Sequence, residues 1–178
     1  MTSLDPLPVW IAAALLATLF AHAGVAKLAD RAAFEQHLAA YRVPDAALAA
    51  LARPLPLLEL LVAGLLLSPW RAAGAAMAGA LLLLYAAAMG WHRAHGHAID
   101  CGCGGAPLPL SWGLVVRNLG LAALAAVAGA GTLLRPLGLG DFLVVAGSVL
   151  LATLLHAALQ QVLRHSAGAR GRPLFGRI

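Results

Sequence analysis

The sequence is poor in charge, in aromatic side chains and in cysteine. Only 11% of its 178 residues are charged and 6% are aromatic, whereas 62% are apolar and the mean hydropathy is +0.87. A soluble domain carries about a quarter of charged residues, so this composition excludes a water-soluble globule and a disordered chain. Two cysteines cannot staple a scaffold together. These absences leave a small integral membrane protein.

Signatures of several enzyme classes are also missing. The chain has no phosphate-binding glycine loop with a lysine, no HExxH zinc motif and no GxSxG nucleophile elbow. The formal net charge is +5, but the basic residues stand at the ends of apolar runs, where they contact lipid headgroups. The sequence therefore argues against hydrolases, nucleotide-driven pumps and nucleic-acid binding.

Apolar runs of spanning length alternate with short polar segments. They predict an all-α integral membrane helical bundle, in which an amphipathic surface segment at about 31–53 follows the first helix. The first run lacks a preceding basic region, which argues against a cleaved signal peptide. We expect one domain, 1–163, and a basic mobile tail, 164–178. The predicted spans are about 7–27, 55–68, 71–91, 112–134 and 141–163.

An odd number of crossings gathers several ionisable residues at one end of the bundle. Lys27 closes the first span, while Glu59 and Arg117 lie about five residues, or about 8 Å, into the second and fourth spans from the same side. A charge at that depth costs several kcal/mol unless it is paired. We therefore expect Glu59 to pair with Arg117 or Lys27, with Asn118 nearby. Such a pair fixes helix register or belongs to a functional site.

The most polar segment, between the third and fourth spans, carries Asp100, Cys101 and Cys103. Gly102 allows the tight turn that a Cys101–Cys103 disulfide requires, and a ring so small is strained and readily reduced. Neighbouring histidines and Arg117 favour a thiolate when positively charged, whereas Asp100 opposes it. This pattern predicts thiol-disulfide chemistry.

Two other interpretations of this segment stay open. His95, His97, Cys101 and Cys103 together form a ligand set suited to zinc or copper, although their spacing matches no zinc-finger pattern. Alternatively, the segment is a solvated, glycine-rich loop without chemistry. No motif specifies a cofactor, and the sequence alone does not decide whether a quinone or a metal binds.

Four segments stand in a fixed order along the chain: FAHAGVAKL at 20–28, PLPLLEL at 54–60, DCGC at 100–103 and SWGLVVRNL at 111–119. In this order they resemble the methylamine utilisation protein MauE family, part of the wider DoxX-like group. The resemblance covers roughly 10–134, and one departure is Gly104, where similar proteins usually have an aromatic residue. It implies a DoxX-like four-helix core plus a fifth C-terminal transmembrane helix.

The resemblance also implies a function. Such proteins are multi-pass proteins of the bacterial inner membrane that assist maturation of the exported, disulfide-rich small subunit of methylamine dehydrogenase, alongside a periplasmic thioredoxin-like protein. By this resemblance Cys101 and Cys103 are the redox pair of a thiol-disulfide oxidoreductase. The alternative is a non-enzymatic scaffold that docks the thioredoxin-like partner. The supporting polar cluster would be Lys27, Glu59, Arg117, Asn118 and Asp100.

Orientation in the membrane is left open by two opposing arguments. Most basic residues lie on the predicted side of the cysteines, whereas the other side has only Arg71 and Arg135. The positive-inside rule then places the cysteines in the cytoplasm. A disulfide helper for an exported protein instead needs them in the periplasm, where disulfides persist.

Overall fold

The computed structural model describes residues 4–96 and 111–170, and this part of the chain is helical. Its sole β-type pairing is an isolated bridge between Leu4 and Thr132. The predicted all-α fold is therefore confirmed. The helices are α1 (Pro6–Ala29), α2 (Arg31–Ala40), α3 (Asp45–Ala52), α4 (Pro54–Leu66), α5 (Arg71–Ala94), α6 (Trp112–Gly129) and α7 (Leu139–Arg170).

Within the described ranges, four apolar stretches are long enough to cross a membrane: α1, the combined stretch Asp45–Leu66, α5 and α6. Stretches of this length and composition make the chain a multi-pass membrane protein. Helix α7 contains a shorter apolar stretch, Leu139–Leu155. Helix α7 as a whole extends to Arg170, beyond the expected end of the last span at 163.

The first helices begin and end at polar residues that satisfy free backbone groups. The Asp5 carboxylate accepts a hydrogen bond of 2.9 Å from the Leu7 N–H, and Pro6 fits the first turn because it needs no backbone partner. Asp30 follows α1 and accepts a 3.0 Å bond from the Ala33 N–H, which starts α2. The chain therefore turns at Asp30 from a spanning helix into a short surface helix.

The predicted surface segment consists of two helices, and only α2 is set apart from the bundle's spanning stretches. The backbone turns after α2 at Arg42, which has a left-handed φ of 58°. Helix α3 then runs into α4 through Arg53, whose backbone is itself α-helical. The apolar stretch Asp45–Leu66 thus starts earlier than the predicted second span at 55–68.

The core lies between α1, α4, α5 and α6 and is built largely of small side chains. A Cβ added at Gly74 would stand 2.7 Å from the backbone nitrogen of Leu66, and one at Gly24 would stand 2.9 Å from the carbonyl oxygen of Pro56. Glycine at these two crossings lets α5 and α1 approach α4 closely, which drives helix association where lipid replaces water. The fully buried core includes Val9, Ala13, Leu16, Val62, Leu66 and Ala78.

At one end of the bundle, Arg71 joins the start of α5 to the end of α6. Its guanidinium donates hydrogen bonds to the carbonyl oxygens of Ala128 and, at 3.1 Å, Ala130, and it lies 5.7 Å from the Trp10 ring centroid. These carbonyls end a helix and have no partner within it. The cap explains why α6 stops at Gly129, before the predicted 134.

Arg135 lies at the same end and holds the start of α7 against the start of α1. It forms ion pairs of 3.1 Å with Asp5 and 3.0 Å with Asp141. The Leu7 N–H and Arg135 together lower the pKa of Asp5 below its ordinary value. Both arginines expected at this end are therefore engaged in contacts within the protein.

Candidate functional site

The opposite end of the bundle contains a buried ion pair between Lys27 on α1 and Glu59 on α4. The Lys27 ammonium donates to Glu59 Oε1, and the side chains are 9% and 1% exposed, respectively. Ion pairs so deeply buried are stable only when both members are present, because either charge alone would be desolvated without compensation. Of the two partners expected for Glu59, the structure shows Lys27.

Tyr85 on α5 is a third member of this cluster, and sequence reasoning missed it. Its hydroxyl donates a 2.7 Å hydrogen bond to Glu59 Oε1, so both observed donors share one oxygen. The second oxygen, Oε2, is buried and receives no hydrogen bond from the residues that the structure describes. A buried tyrosine usually finds a partner for its hydroxyl, which is the signal that could have revealed it.

Aromatic rings cover the Lys27 ammonium. Its Nζ lies 5.4 Å from the ring centroid of Phe34 on α2 and 5.2 Å from that of Tyr85. Rings at this distance attract a cation through their negative faces. Phe34 is the buried residue of α2 and faces inward, so the amphipathic helix covers the ion pair.

Other buried polar groups lie toward the same end. The Tyr41 and His92 rings meet edge to face with 4.9 Å between centroids. Asn118 on α6 is 3% exposed. Its Nδ2 donates a hydrogen bond of 2.9 Å to the Leu114 carbonyl oxygen and lies 3.6 Å from the Met89 sulfur. The ends of α1 and α5 and the starts of α4 and α6 therefore meet here, as predicted from an odd number of crossings.

The remaining predicted residues are placed differently. Arg117 is exposed, unlike its neighbour Asn118. Asp100, Cys101, Cys103 and His97 lie outside the described residues, so their place relative to Glu59 stays a prediction.

The metal interpretation can be followed only at His95. Its Nδ1 lies 2.8 Å from the Trp91 carbonyl oxygen, and the two rings stack with centroids 4.3 Å apart. In the ranges 4–96 and 111–170 no three metal-binding side chains cluster. The proposed ligands His97, Cys101 and Cys103 are not among these residues, so the metal alternative stays untested.

Together these contacts form a polar centre with defined chemistry. Lys27 and Tyr85 fix one oxygen of a carboxylate, and its other oxygen is an acceptor within a low-dielectric interior, where a hydrogen bond from a ligand or partner is strongest. A centre of this kind can bind a hydrogen-bond donor or hold a proton. The chain leaves α5 toward Gly96 and re-enters at Ser111 at this same end.

Comparison with known proteins assigns the chain to a family. The model of the family "Methylamine utilisation protein MauE" matches residues 5–131. Methylamine utilization protein MauE of Paracoccus denitrificans is 41% identical over 127 residues, which cover 68% of this chain and 68% of that protein. Its namesake from Paracoccus versutus is 38% identical over 182 residues, covering 94% and 97% of the two chains. No solved structure matches the chain. The protein belongs to the methylamine utilisation protein MauE family.

Proposed function

We propose that this protein is a maturation factor of the bacterial inner membrane that forms or rearranges disulfides in an exported partner. Its family supports a role in methylamine utilisation, and the exported small subunit of methylamine dehydrogenase is the client we propose. The observation that carries the proposal is the buried Lys27–Glu59 ion pair with half-buried Tyr85, at the end where the cysteine segment is attached.

Chain length limits how far the proposed redox pair can be from this end. Cys101 follows Gly96 by five residues in the sequence, a distance of at most about 18 Å even when fully extended. Cys103 is joined in the other direction to Ser111 at the start of α6. Chain connectivity therefore allows both thiols to lie at this end of the bundle, as the proposal requires.

The reaction is an exchange of one disulfide for another. A client thiolate attacks the Cys101–Cys103 disulfide, forming a mixed disulfide, and a second client thiolate then resolves it. The client loses two electrons and two protons, and the cysteine pair gains them as two thiols. A periplasmic thioredoxin-like protein, by its own disulfide, takes these electrons and restores the pair.

Charge near the thiols would assist this exchange. Exposed Arg117, at the start of α6, supplies a positive charge that stabilises a leaving thiolate. Lys27 and Glu59 hold α1 and α4 together at the same end of the bundle, and Asn118 is buried in α6 next to Arg117 in the sequence. We assign these four residues to support of the pair, whereas Asp100, beside Cys101 in the sequence, opposes ionisation.

Replacing both cysteines tests the proposal. In cells producing the client, C101S/C103S should leave as much unoxidised client as deletion of the whole protein, measured by thiol alkylation and gel shift. S68A, altered just after the opposite end of α4, is the control and should mature the client normally. Membrane levels of each variant are matched by immunoblot.

A non-enzymatic scaffold is the alternative, and the outward face of α2 favours it. Arg31 and Glu35 form an ion pair of 3.7 Å there, and their side chains are 41% and 43% exposed, so a docked protein can contact both. Normal client maturation with C101S/C103S would refute the redox mechanism and support this scaffold. Charge reversal at Arg31 and Glu35 would then abolish capture of the thioredoxin-like protein.

Orientation is tested separately with a membrane-impermeant maleimide. The spheroplasts are first treated with a membrane-impermeant phosphine reductant, because a maleimide alkylates thiols and does not react with the Cys101–Cys103 disulfide. If the proposal is right, both cysteines then react in intact spheroplasts without permeabilisation, because their end of the bundle faces the periplasm. Labelling that requires permeabilisation would refute direct oxidation of an exported client.

A further inference from the structure

The outer surface of α1 and α4 forms a shallow, open apolar groove of about 700 Å³. Small residues line much of it, among them Ala21, Ala63 and Gly64, and a Cβ at Gly64 would meet open space. Both helices belong to apolar stretches of spanning length, so this surface faces the acyl chains of the bilayer. Any occupant must therefore be lipid-soluble.

His22 brings an ionisable side chain into this apolar groove. It lies on α1 about 24 Å from Pro6 and about 10 Å from Ala29, at the helical rise of 1.5 Å per residue. Its side chain is exposed on the outside of the bundle. An ionisable group within a spanning stretch is costly without a partner, which makes His22 a candidate for binding a ligand.

Two other histidines show what is unusual about His22. His37 Nδ1 lies 2.7 Å from the Ala33 carbonyl oxygen and His95 Nδ1 lies 2.8 Å from that of Trp91, each four residues earlier on its own helix. His22 makes no hydrogen bond with any residue in the described part of the chain. A neutral imidazole there offers one donor and one acceptor to a ligand.

Thr18 adds a second polar atom to the groove, one helical turn from His22. The Thr18 hydroxyl donates a hydrogen bond of 2.8 Å to the Ala14 carbonyl oxygen. The hydroxyl oxygen of Thr18 therefore remains available as an acceptor. Lysine and arginine are absent from the groove lining, so an anionic headgroup finds no cation there. The lining suits a flat, neutral ring that carries two oxygens and an apolar tail.

We propose that this groove binds a lipid-soluble quinone. His22 donates a hydrogen bond to a carbonyl oxygen of the oxidised ring, and His22 and Thr18 accept hydrogen bonds from the two hydroxyls of the quinol. The inference uses no property of Cys101 or Cys103, so it stands or falls separately from the disulfide exchange.

Decylubiquinone binding to the full-length protein tests this site. The protein is placed in quinone-free phosphatidylcholine nanodiscs, and quenching of tryptophan fluorescence is titrated. We expect saturable quenching, and H22A should raise the half-saturating concentration about tenfold, because one hydrogen bond in an apolar site is lost. H22Q retains a hydrogen-bonding side chain and should stay within about threefold of the wild type.

A second variant blocks the groove without altering His22. G64L adds a side chain where Gly64 has open space and should abolish the saturable component. G90L is the matched control, since a Cβ at Gly90 also meets nothing within 4 Å and Gly90 is not in the groove lining. H37A controls for loss of an imidazole elsewhere. Helical ellipticity identifies any variant that fails to fold.

Three results would overturn the assignment. Equal, non-saturable quenching in all variants would show partition into the bilayer only. Competition by n-decylbenzene, which has the ring and tail without oxygens, at the potency of decylubiquinone would show a furrow for acyl chains. A wild-type dimer that G64L dissociates would assign the groove to a second copy of the chain.

Discussion

Removing the ammonium of Lys27 should destabilise the protein far more than removing a surface charge. K27M leaves the Glu59 carboxylate, 1% exposed, without its cation while Tyr85 still donates to Oε1. Breaking one side of a buried ion pair costs about 3–5 kcal/mol, so K27M should lower the free energy of unfolding by that amount. Unfolding in mixed micelles, followed by helical ellipticity, measures the change.

A double-mutant cycle separates the ion pair from general damage to packing. E59Q keeps an acceptor for Tyr85 and removes the charge. The free energy of unfolding of K27M/E59Q should therefore lie within about 2 kcal/mol of the wild-type value, and the coupling energy between the two substitutions should be at least about 2 kcal/mol. R31M breaks the exposed pair with Glu35 and should change stability by less than about 1 kcal/mol.

Two outcomes would refute this reasoning. A loss below about 1 kcal/mol in K27M would mean that water or lipid headgroups solvate Glu59 once Lys27 is removed, contrary to its burial. Additive effects of K27M and E59Q would mean that the two side chains do not interact energetically, whatever their geometry.

Two further perturbations act away from the polar centre. G74A should destabilise the protein by about 1–3 kcal/mol, because its Cβ meets the Leu66 backbone. G90A should be neutral or stabilise the protein by up to about 1 kcal/mol. Chemical unfolding of both variants measures these changes. The lowered pKa of Asp5 means that its stabilising contacts persist above its ordinary pKa and disappear as the pH falls through the lowered value. The Tm gap between wild type and D5N should therefore stay constant from about pH 7 to about pH 5 and close in stronger acid; a gap that widens in acid would contradict this.

Hydropathy predicted the helical membrane bundle well, because apolar length alone decides whether a stretch can span a bilayer. It was less able to place helix ends. The apolar run that begins at Trp112 continues past Gly129, but Arg71 caps the carbonyls of Ala128 and Ala130, and the helix stops there. A contact between residues so far apart in sequence leaves no local signal.

The candidate site was predictable in depth but not in detail. Counting residues from the ends of the spans placed Lys27, Glu59 and Arg117 at similar levels. Depth does not specify rotation about a helix axis, and in the structure Arg117 is exposed while Lys27 reaches Glu59. Tyr85 was not identified from the sequence as part of the site, because it lies within the apolar run 81–88 and only its hydroxyl needs a polar neighbour.

The Arg71 contact has a consequence for how the molecule tolerates breaks in its chain. It connects the start of α5 to the end of α6, at the end of the bundle opposite the segment that links these helices in sequence. A backbone cut between Gly96 and Ser111 would therefore release no helix, since packing along α5 and α6 and this fastening both persist. Two separately synthesised halves should reassemble in a bilayer, and foreign peptide inserted at the cut should leave the bundle intact.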